Sequence, residues 1–292
     1  MNLTESTAQD FNTDSFFKYF EEESNGQIQL EREKVFFAQT VDSTNTRLKS
    51  LLQETVLDKN KSLKSLHKTL LASDTQTSGY GRLMRSFYSP KDNGIYFSFI
   101  YLPDESSFNP AFYTVSCAVA VSLALEELLG IKPQIKWVND IYVGDRKVCG
   151  ILSEGFCSPG ADRVQAMVVG IGINLRTDIL DLPEEIKDRA GGVLDSLGTI
   201  NFSRARLLAR IIFKCMSFLD GGSQSWKHVV EEYKKRSYLD GKTVTVTPIV
   251  GEKTNSYQAK VIGINDEAEL EVECTDGSIK KLSTGEVTLH EN

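Results

Sequence analysis

Residues 136–154 read Lys-Trp-Val-Asn-Asp-Ile-Tyr-Val-Gly-Asp-Arg-Lys-Val-Cys-Gly-Ile-Leu-Ser-Glu, an apolar pattern broken by polar groups at fixed places. Two β-prone runs, Ile141 to Val143 and Lys147 to Leu152, flank a turn at Gly144-Asp145-Arg146, which is hairpin chemistry. Lys136, Asn139, Asp140 and Lys147 therefore fall near strand ends around a hairpin. Lysine and aspartate are costly to bury unpaired. Either the hairpin is an edge with solvated charges, or the charges belong to a site.

A second segment favours a site. Residues 76–90 read Gln-Thr-Ser-Gly-Tyr-Gly-Arg-Leu-Met-Arg-Ser-Phe-Tyr-Ser-Pro, with no acidic residue between Asp74 and Asp92. Gly79 and Gly81 give the loop unusual backbone freedom. Arg82 and Arg85 then look uncompensated, which suits a phosphate or carboxylate ligand; an ordinary solvated loop is the alternative. A third segment, Val168 to Leu175, is a buried-strand pattern holding Gly170 and Gly172. Glycine inside a strand marks a close approach by a ligand or by other protein atoms.

The remaining chain reads as alternating elements. Val35–Val41 is a strand, and Ser43 or Thr44 caps a helix running to about Thr55. Thr69–Ser73 and Ile95–Leu102 are strands. Asn109-Pro110 opens a long apolar helix, Phe112 to Leu129, ended by Gly130; Ser116, Ser122, Glu126 and Glu127 argue against a membrane span. Val164–Leu175 is a strand. Ser203 caps a helix to Leu219, and Trp226–Lys235 continues as helix. After Asp240-Gly241, short apolar alternations (Val244 and Val246; Ala259, Val261 and Ile264; Leu270 and Val272; Ile279 and Leu282) predict four or five strands of a small β-barrel. Residues 1–34 form an N-terminal extension with a short helix at Phe16–Glu23 and mobility before it.

At 292 residues the chain holds one large domain and a small one, divided at 35–238 and 239–292. A net charge of -7 argues against broad nucleic-acid binding. The five cysteines lack metal spacing, and His67, His228 and His290 are far apart. Reduced thiols and the lack of a signal peptide point to the cytoplasm. Gly241-Lys242-Thr243 lacks a P-loop's first glycine, since Arg236 stands there. Gly170-Ile-Gly172 lacks the third Rossmann glycine.

Taken together, Asp42-Ser43-Thr44-Asn45, Gln76 with Gly79-x-Gly81-Arg82-x-x-Arg85, Ser89-Pro90, Gly94-Ile95-Tyr96-x-Ser98, Lys136-Trp137-x-Asn139-Asp140, Lys147-x-x-Gly150-Ile151-Leu152-x-Glu154 and Gly170-x-Gly172-x-Asn174 resemble the biotin protein ligase family, in that family's order. The resemblance covers about residues 35 to 290. It departs at Met84, where glycine is usual, at Phe87, where tryptophan is usual, and at Val138, where proline is usual.

The resemblance implies an α+β fold. A mixed sheet backed by helices is followed by a C-terminal SH3-like barrel, without the DNA-binding domain that precedes many bacterial relatives. It implies an ATP-dependent ligase that makes biotinyl-5'-AMP and transfers biotin to a lysine of a biotin carboxyl carrier protein domain. ATP, biotin and Mg²⁺ would be bound, DNA and membrane would not, and the state would be monomer or homodimer. By resemblance Lys147 bridges the biotin carboxylate and the α-phosphate, with Arg82 and Asp140 as further catalytic residues and Asp140 near the metal or the incoming amine. Ser43, Thr44, Asn45 and Gln76 meet the biotin ring, joined by Gly79, Gly81, Arg82, Tyr96, Lys147 and Gly150. Arg82, Arg85, Asn139, Lys147 and Asn174 contact ATP or the adenylate. Tyr96 walls the pocket or sits in the core, and Trp137 packs or stacks. Two alternatives stay open: a lipoate or octanoate ligase or transferase on the same fold, and a non-enzymatic biotin-binding module.

Overall fold

Strand alternation divides the core into two layers. A computed structural model describes residues 3–6, 8, 10–103, 109–177, 182–198, 200–248 and 256–289. In β1 (Val35–Val41), β2 (Leu70–Gln76) and β3 (Gly94–Tyr101), neighbouring residues point to opposite faces. Phe37, Leu70 and Phe99 enter the larger core, while Ala38, Leu71 and Ile100 enter the smaller one. The larger core takes α1 (Thr13–Ser24), α3 (Pro110–Leu129), α4 (Arg204–Asp220) and α5 (Gly222–Lys235). The smaller core is covered by α2 (Thr44–Leu57) through Leu48 and Leu52.

The sheet continues with β4 (Gln134–Lys136), β5 (Asp140–Val143), β6 (Arg146–Phe156) and β7 (Ala166–Asn174). Its order is β1-β2-β3-β7-β6-β5-β4. Only the β1–β2 pair is parallel, so the sheet is mixed. A second, antiparallel sheet comprises β8 (Thr243–Thr247), β9 (Tyr257–Ile264), β10 (Leu270–Cys274), β11 (Ile279–Leu282) and β12 (Glu286–Leu289). Mixed sheet, backing helices and a C-terminal β unit are as the sequence predicts.

The predicted caps are in place because each is a local interaction. Ser43 accepts from Thr46 N at 3.4 Å, Asn109 from Ala111 N at 3.0 Å, and Ser203 from Arg206 N at 3.3 Å. Gly130 ends α3 at φ +67°, a conformation that suits glycine. α3 is long and apolar enough to cross a membrane, but most of it is buried in the larger core against the sheet.

Two local details differ from the sequence reading. β4, only three residues long, has no counterpart in the sequence reading, whereas β12 is the fifth of the four or five strands expected. The turn narrows to Gly144-Asp145, with Arg146 already in β6. Ahead of α1, Ser6 N donates to Phe37 O at 3.0 Å and Gln39 N to Thr4 O at 2.8 Å, so the described residues there run beside β1. Buried Arg204 pairs with Asp74 at 2.6 Å and Asp10 at 3.2 Å, clamping this segment to β2. Met1, Asn2, Thr7, Gln9, residues 249–255 and His290 lie outside the described residues.

Candidate active site

One cross-strand row lays the floor of a cavity of about 690 Å³. Lys136 pairs with Asp140, Asp140 with Gly150, Gly150 with Gly172, and Gly172 with Tyr96. Directly paired residues in antiparallel strands share a face, and all five line the cavity. The glycines keep the middle of the row low. A Cβ at Gly172 would lie 2.5 Å from the Phe87 ring, and one at Gly170 would lie 2.1 Å from Asn45 Oδ1. The strand glycines thus make room for two side chains of the same chain, which stand at the cavity wall.

Lys147 reaches this face through a bulge. The β5–β6 register slips between Ile141 and Tyr142, and both Val148 and Cys149 are buried in the larger core. With two successive residues on the core side, Lys147 and Gly150 both face the cavity, as bulges re-aim side chains. A Cβ at Gly150 would lie 3.5 Å from Lys147 Nζ. The Lys147 backbone is held on both sides: its N donates to Arg189 O at 2.7 Å, and Gly191 N donates to its carbonyl at 3.0 Å. Its ammonium sits 2.7 Å from Asp140 Oδ1. Asn139 Nδ2 donates to Asp140 Oδ1 and to Ile151 O, each at 3.0 Å.

At the other end lies a neutral polar cluster on α2, β2 and β3. Gln76 Oε1 accepts from Thr44 N at 2.9 Å and Thr44 Oγ1 at 3.1 Å, and Gln76 Nε2 donates to Ser89 Oγ at 3.1 Å. The buried Ser98 hydroxyl lies 2.6 Å from Thr44 Oγ1 and 2.5 Å from Asn45 Oδ1. Tyr96 is buried, with its hydroxyl donating to Pro90 O at 3.1 Å, so it is both wall and core. Trp137 is buried at the cavity wall and donates from its indole N–H to Ala268 O, in the turn between β9 and β10, at 3.0 Å.

The arginine loop differs from its sequence reading in two ways. The arginines are compensated. Arg82 donates to Asn139 Oδ1 at 3.1 Å and to Gly285 O at 2.9 Å, and Arg85 pairs with Glu286 at 2.6 Å. Gly285 and Glu286 lie about two hundred residues downstream and had no local signal. Nor do the glycines carry the unusual backbone. Leu83 at φ +56° and Met84 at φ +57° do. Gly79 is needed for packing, because a Cβ there would lie 2.8 Å from Phe87 O, and it does not line the cavity; a Cβ at Gly81 would make only ordinary contact, 3.9 Å from Arg85 O. A left-handed conformation is strained for a residue with a side chain, and the glycine usual at position 84 in the family resembled suits it. Met84→Gly should therefore raise stability by about 0.5–1 kcal/mol. The readout is a higher urea midpoint at unchanged slope; a lower midpoint would refute the strained loop.

Sequence reasoning also missed what Glu154 does. Glu154 Oε2 accepts from Asn45 Nδ2 at 2.8 Å and from the Tyr80 hydroxyl at 2.9 Å, and its Oε1 pairs with Lys49 at 2.7 Å. Burial opposes its ionisation, but the bonds from Lys49, Asn45 and Tyr80 prevail and hold the carboxyl below its usual range. One carboxylate thus ties α2 to the arginine loop. Glu154→Ala should speed hydrogen exchange at the amides of residues 79–87 by roughly ten- to hundredfold, from bonds worth about 1.5–3 kcal/mol. Unchanged protection would show that the loop is anchored elsewhere.

The sequence-named residues thus converge on one cavity, Gly79 excepted. Ser43, Thr44, Asn45, Gln76, Gly81, Arg82, Arg85, Tyr96, Asn139, Asp140, Lys147, Gly150 and Asn174 all line it. Comparison with known proteins gives the same family. Residues 37–174 match the biotin/lipoate A/B protein ligase family model. The biotin protein ligase of Aquifex aeolicus, solved with biotin and ATP, aligns at 30% identity and a TM-score of 0.70, over 88% of this chain and 99% of that one. This chain belongs to the biotin protein ligase family. Among curated relatives, the bifunctional ligase/repressor BirA of Bacillus subtilis is 32% identical over 225 residues, 76% of this chain and 66% of that protein. The Escherichia coli BirA is 28% identical over 262 residues, 89% of this chain and 75% of that protein. The chain therefore spans about two thirds of the length of the Bacillus relative.

Proposed function

We propose that this member of the biotin protein ligase family activates biotin with ATP as biotinyl-5'-AMP and transfers it to a lysine of a carboxyl carrier protein domain. The observation that carries the reading is the two-ended cavity. One end presents neutral donors and acceptors from Ser43, Thr44, Asn45 and Gln76, and the other presents Lys147, Arg82, Asn139 and Asp140. A ureido ring needs both donors and acceptors, whereas the ring of lipoate offers neither N–H nor C=O. The family model spans biotin and lipoate ligases alike, and the polar end supports biotin.

In the first step a biotin carboxylate oxygen bonds to the α-phosphorus of ATP. The bond from that phosphorus to the bridging oxygen breaks, and its electron pair leaves with pyrophosphate. Two anions meet, so Lys147 and Arg82 act by charge placement. In the second step the acceptor amine attacks the acyl carbon, gives up a proton and displaces AMP. No nucleophile of the enzyme is required. Asn139, Asn174 and Arg85 are assigned to the adenylate. Asp140 would hold Mg²⁺ through one carboxylate, and the ion would supply charge neutralisation at the phosphates; no group of three or more His, Cys, Asp or Glu side chains that could hold a metal occurs among the described residues, which fits an ion bound mainly through its substrate.

We assign catalysis to residues 35–238 and a closing role to 239–292, with the cytoplasm as the setting. Mass spectrometry of a carboxyl carrier domain incubated with protein, ATP, Mg²⁺ and biotin tests the reading. A gain of one biotinyl group is expected. No gain with biotin, together with a gain with lipoate, would transfer the protein to the other branch of the family.

A further inference from the structure

Lys136 ends the cross-strand row that forms the cavity floor, directly opposite Asp140. Three neighbouring cations are engaged: Lys147 with Asp140, Arg85 with Glu286, and Arg82 with Asn139 and Gly285; a fourth, Arg189, is exposed at the cavity rim. Lys136 is different. Among the described residues its ammonium has no hydrogen-bond or ion-pair partner, and it lies 5.9 Å over the Tyr142 ring. The charges facing it are Asp140, Lys147, Arg189 and Glu286. Asp140 and Glu286 are each already neutralised by another cation. A half-buried ammonium without a partner is costly unless an anion arrives.

The identity of that anion follows from the order of groups along the row. Working inward from the edge strand, the row presents Lys136, then Asp140 with Lys147 beside it, then Gly150, Gly172 and Tyr96. With the acyl–phosphate junction at Lys147 and the acyl chain over the glycines, the next charge outward belongs to the leaving group. We infer that Lys136 is a further catalytic residue, holding the β- and γ-phosphates of ATP and the pyrophosphate that departs. This assignment rests on the adenylate-forming reading above. When the bond from the α-phosphorus to the bridging oxygen breaks, the electron pair settles on pyrophosphate, and an ammonium without a prior partner can stabilise that charge without breaking a bond first.

The two half-reactions separate this role from a packing role. Biotinyl-AMP carries no β- or γ-phosphate, so transfer from supplied biotinyl-AMP to a carboxyl carrier domain does not use Lys136. Lys136→Met keeps most of the stem over Tyr142, and Lys136→Arg keeps the charge. Single-turnover pyrophosphate release should fall about ten- to hundredfold in Lys136→Met, and Lys136→Arg should recover part of it. Transfer from biotinyl-AMP should stay within about twofold of the unmodified protein. In the reverse direction, the KM for pyrophosphate should rise in Lys136→Met. Equal losses in both half-reactions would make Lys136 a scaffold or adenine contact, and no loss in either would remove it; both overturn the assignment. An unmodified protein releasing no pyrophosphate with biotin and ATP would overturn the ligase reading and this assignment with it. Loss of activity confined to the Lys136 variants cannot be mistaken for that result.

Discussion

Lys147→Ala should lower single-turnover pyrophosphate release by on the order of a few hundredfold while the fold stays intact. Removing one preorganised group that meets developing charge typically costs about 3–4 kcal/mol. Lys147 is such a group because its backbone is fastened on both sides to residues 189–191 and its ammonium is set against Asp140. Neither the floor glycines nor the larger core depends on its side chain, which is about one-third exposed. Biotin affinity should fall less, since the ring contacts assigned to Ser43, Thr44 and Gln76 remain. Transfer from supplied biotinyl-AMP should also suffer less, because only the first step brings two anions together. Circular dichroism checks the fold. A folded variant that forms adenylate at near the original rate would remove Lys147 from the mechanism.

Arg82→Gly should weaken retention of the adenylate more than its formation. The Arg82 guanidinium ties the loop to Asn139 on one side and to the Gly285 carbonyl on the other. Its loss removes the ties to Asn139 and to the Gly285 carbonyl, leaving Tyr80–Glu154 on the main-sheet side and the Arg85–Glu286 ion pair on the barrel side. That pair is largely exposed on the arginine side and contributes little. A charge-assisted contact worth about 1.5–3 kcal/mol corresponds to release quickened by roughly ten- to hundredfold. Escaped biotinyl-AMP should acylate exposed lysines on an unrelated protein added to the reaction, seen by mass spectrometry. Labelling confined to the carrier domain, with ordinary adenylate release, would reject this role.

Both effects depend on contacts between distant parts of the chain, and such contacts separate what could be read in advance from what could not. By itself the sequence determined the longer elements and the residue types of the site. Helix caps at Ser43, Asn109 and Ser203, the Gly130 stop and the alternation in β1 and β3 are set by neighbours within a few residues. The motif residues were named from their own segments, and their convergence on one cavity agrees with that reading.

Only the tertiary structure decided how they work together. The bulge that sends Val148 and Cys149 to the core and Lys147 to the cavity depends on the register with β5, to which strand alternation within β6 is blind. Strict alternation would put Lys147 on the core side with Cys149. The row from Lys136 to Tyr96 is drawn from five strands paired across the sheet. The arginines looked uncompensated because their partners, Gly285 and Glu286, arrive only once the second sheet has packed against the loop. Charge pairing leaves no periodic trace when the partners lie two hundred residues apart, and strain at Leu83 and Met84 is set by loop closure rather than by residue type.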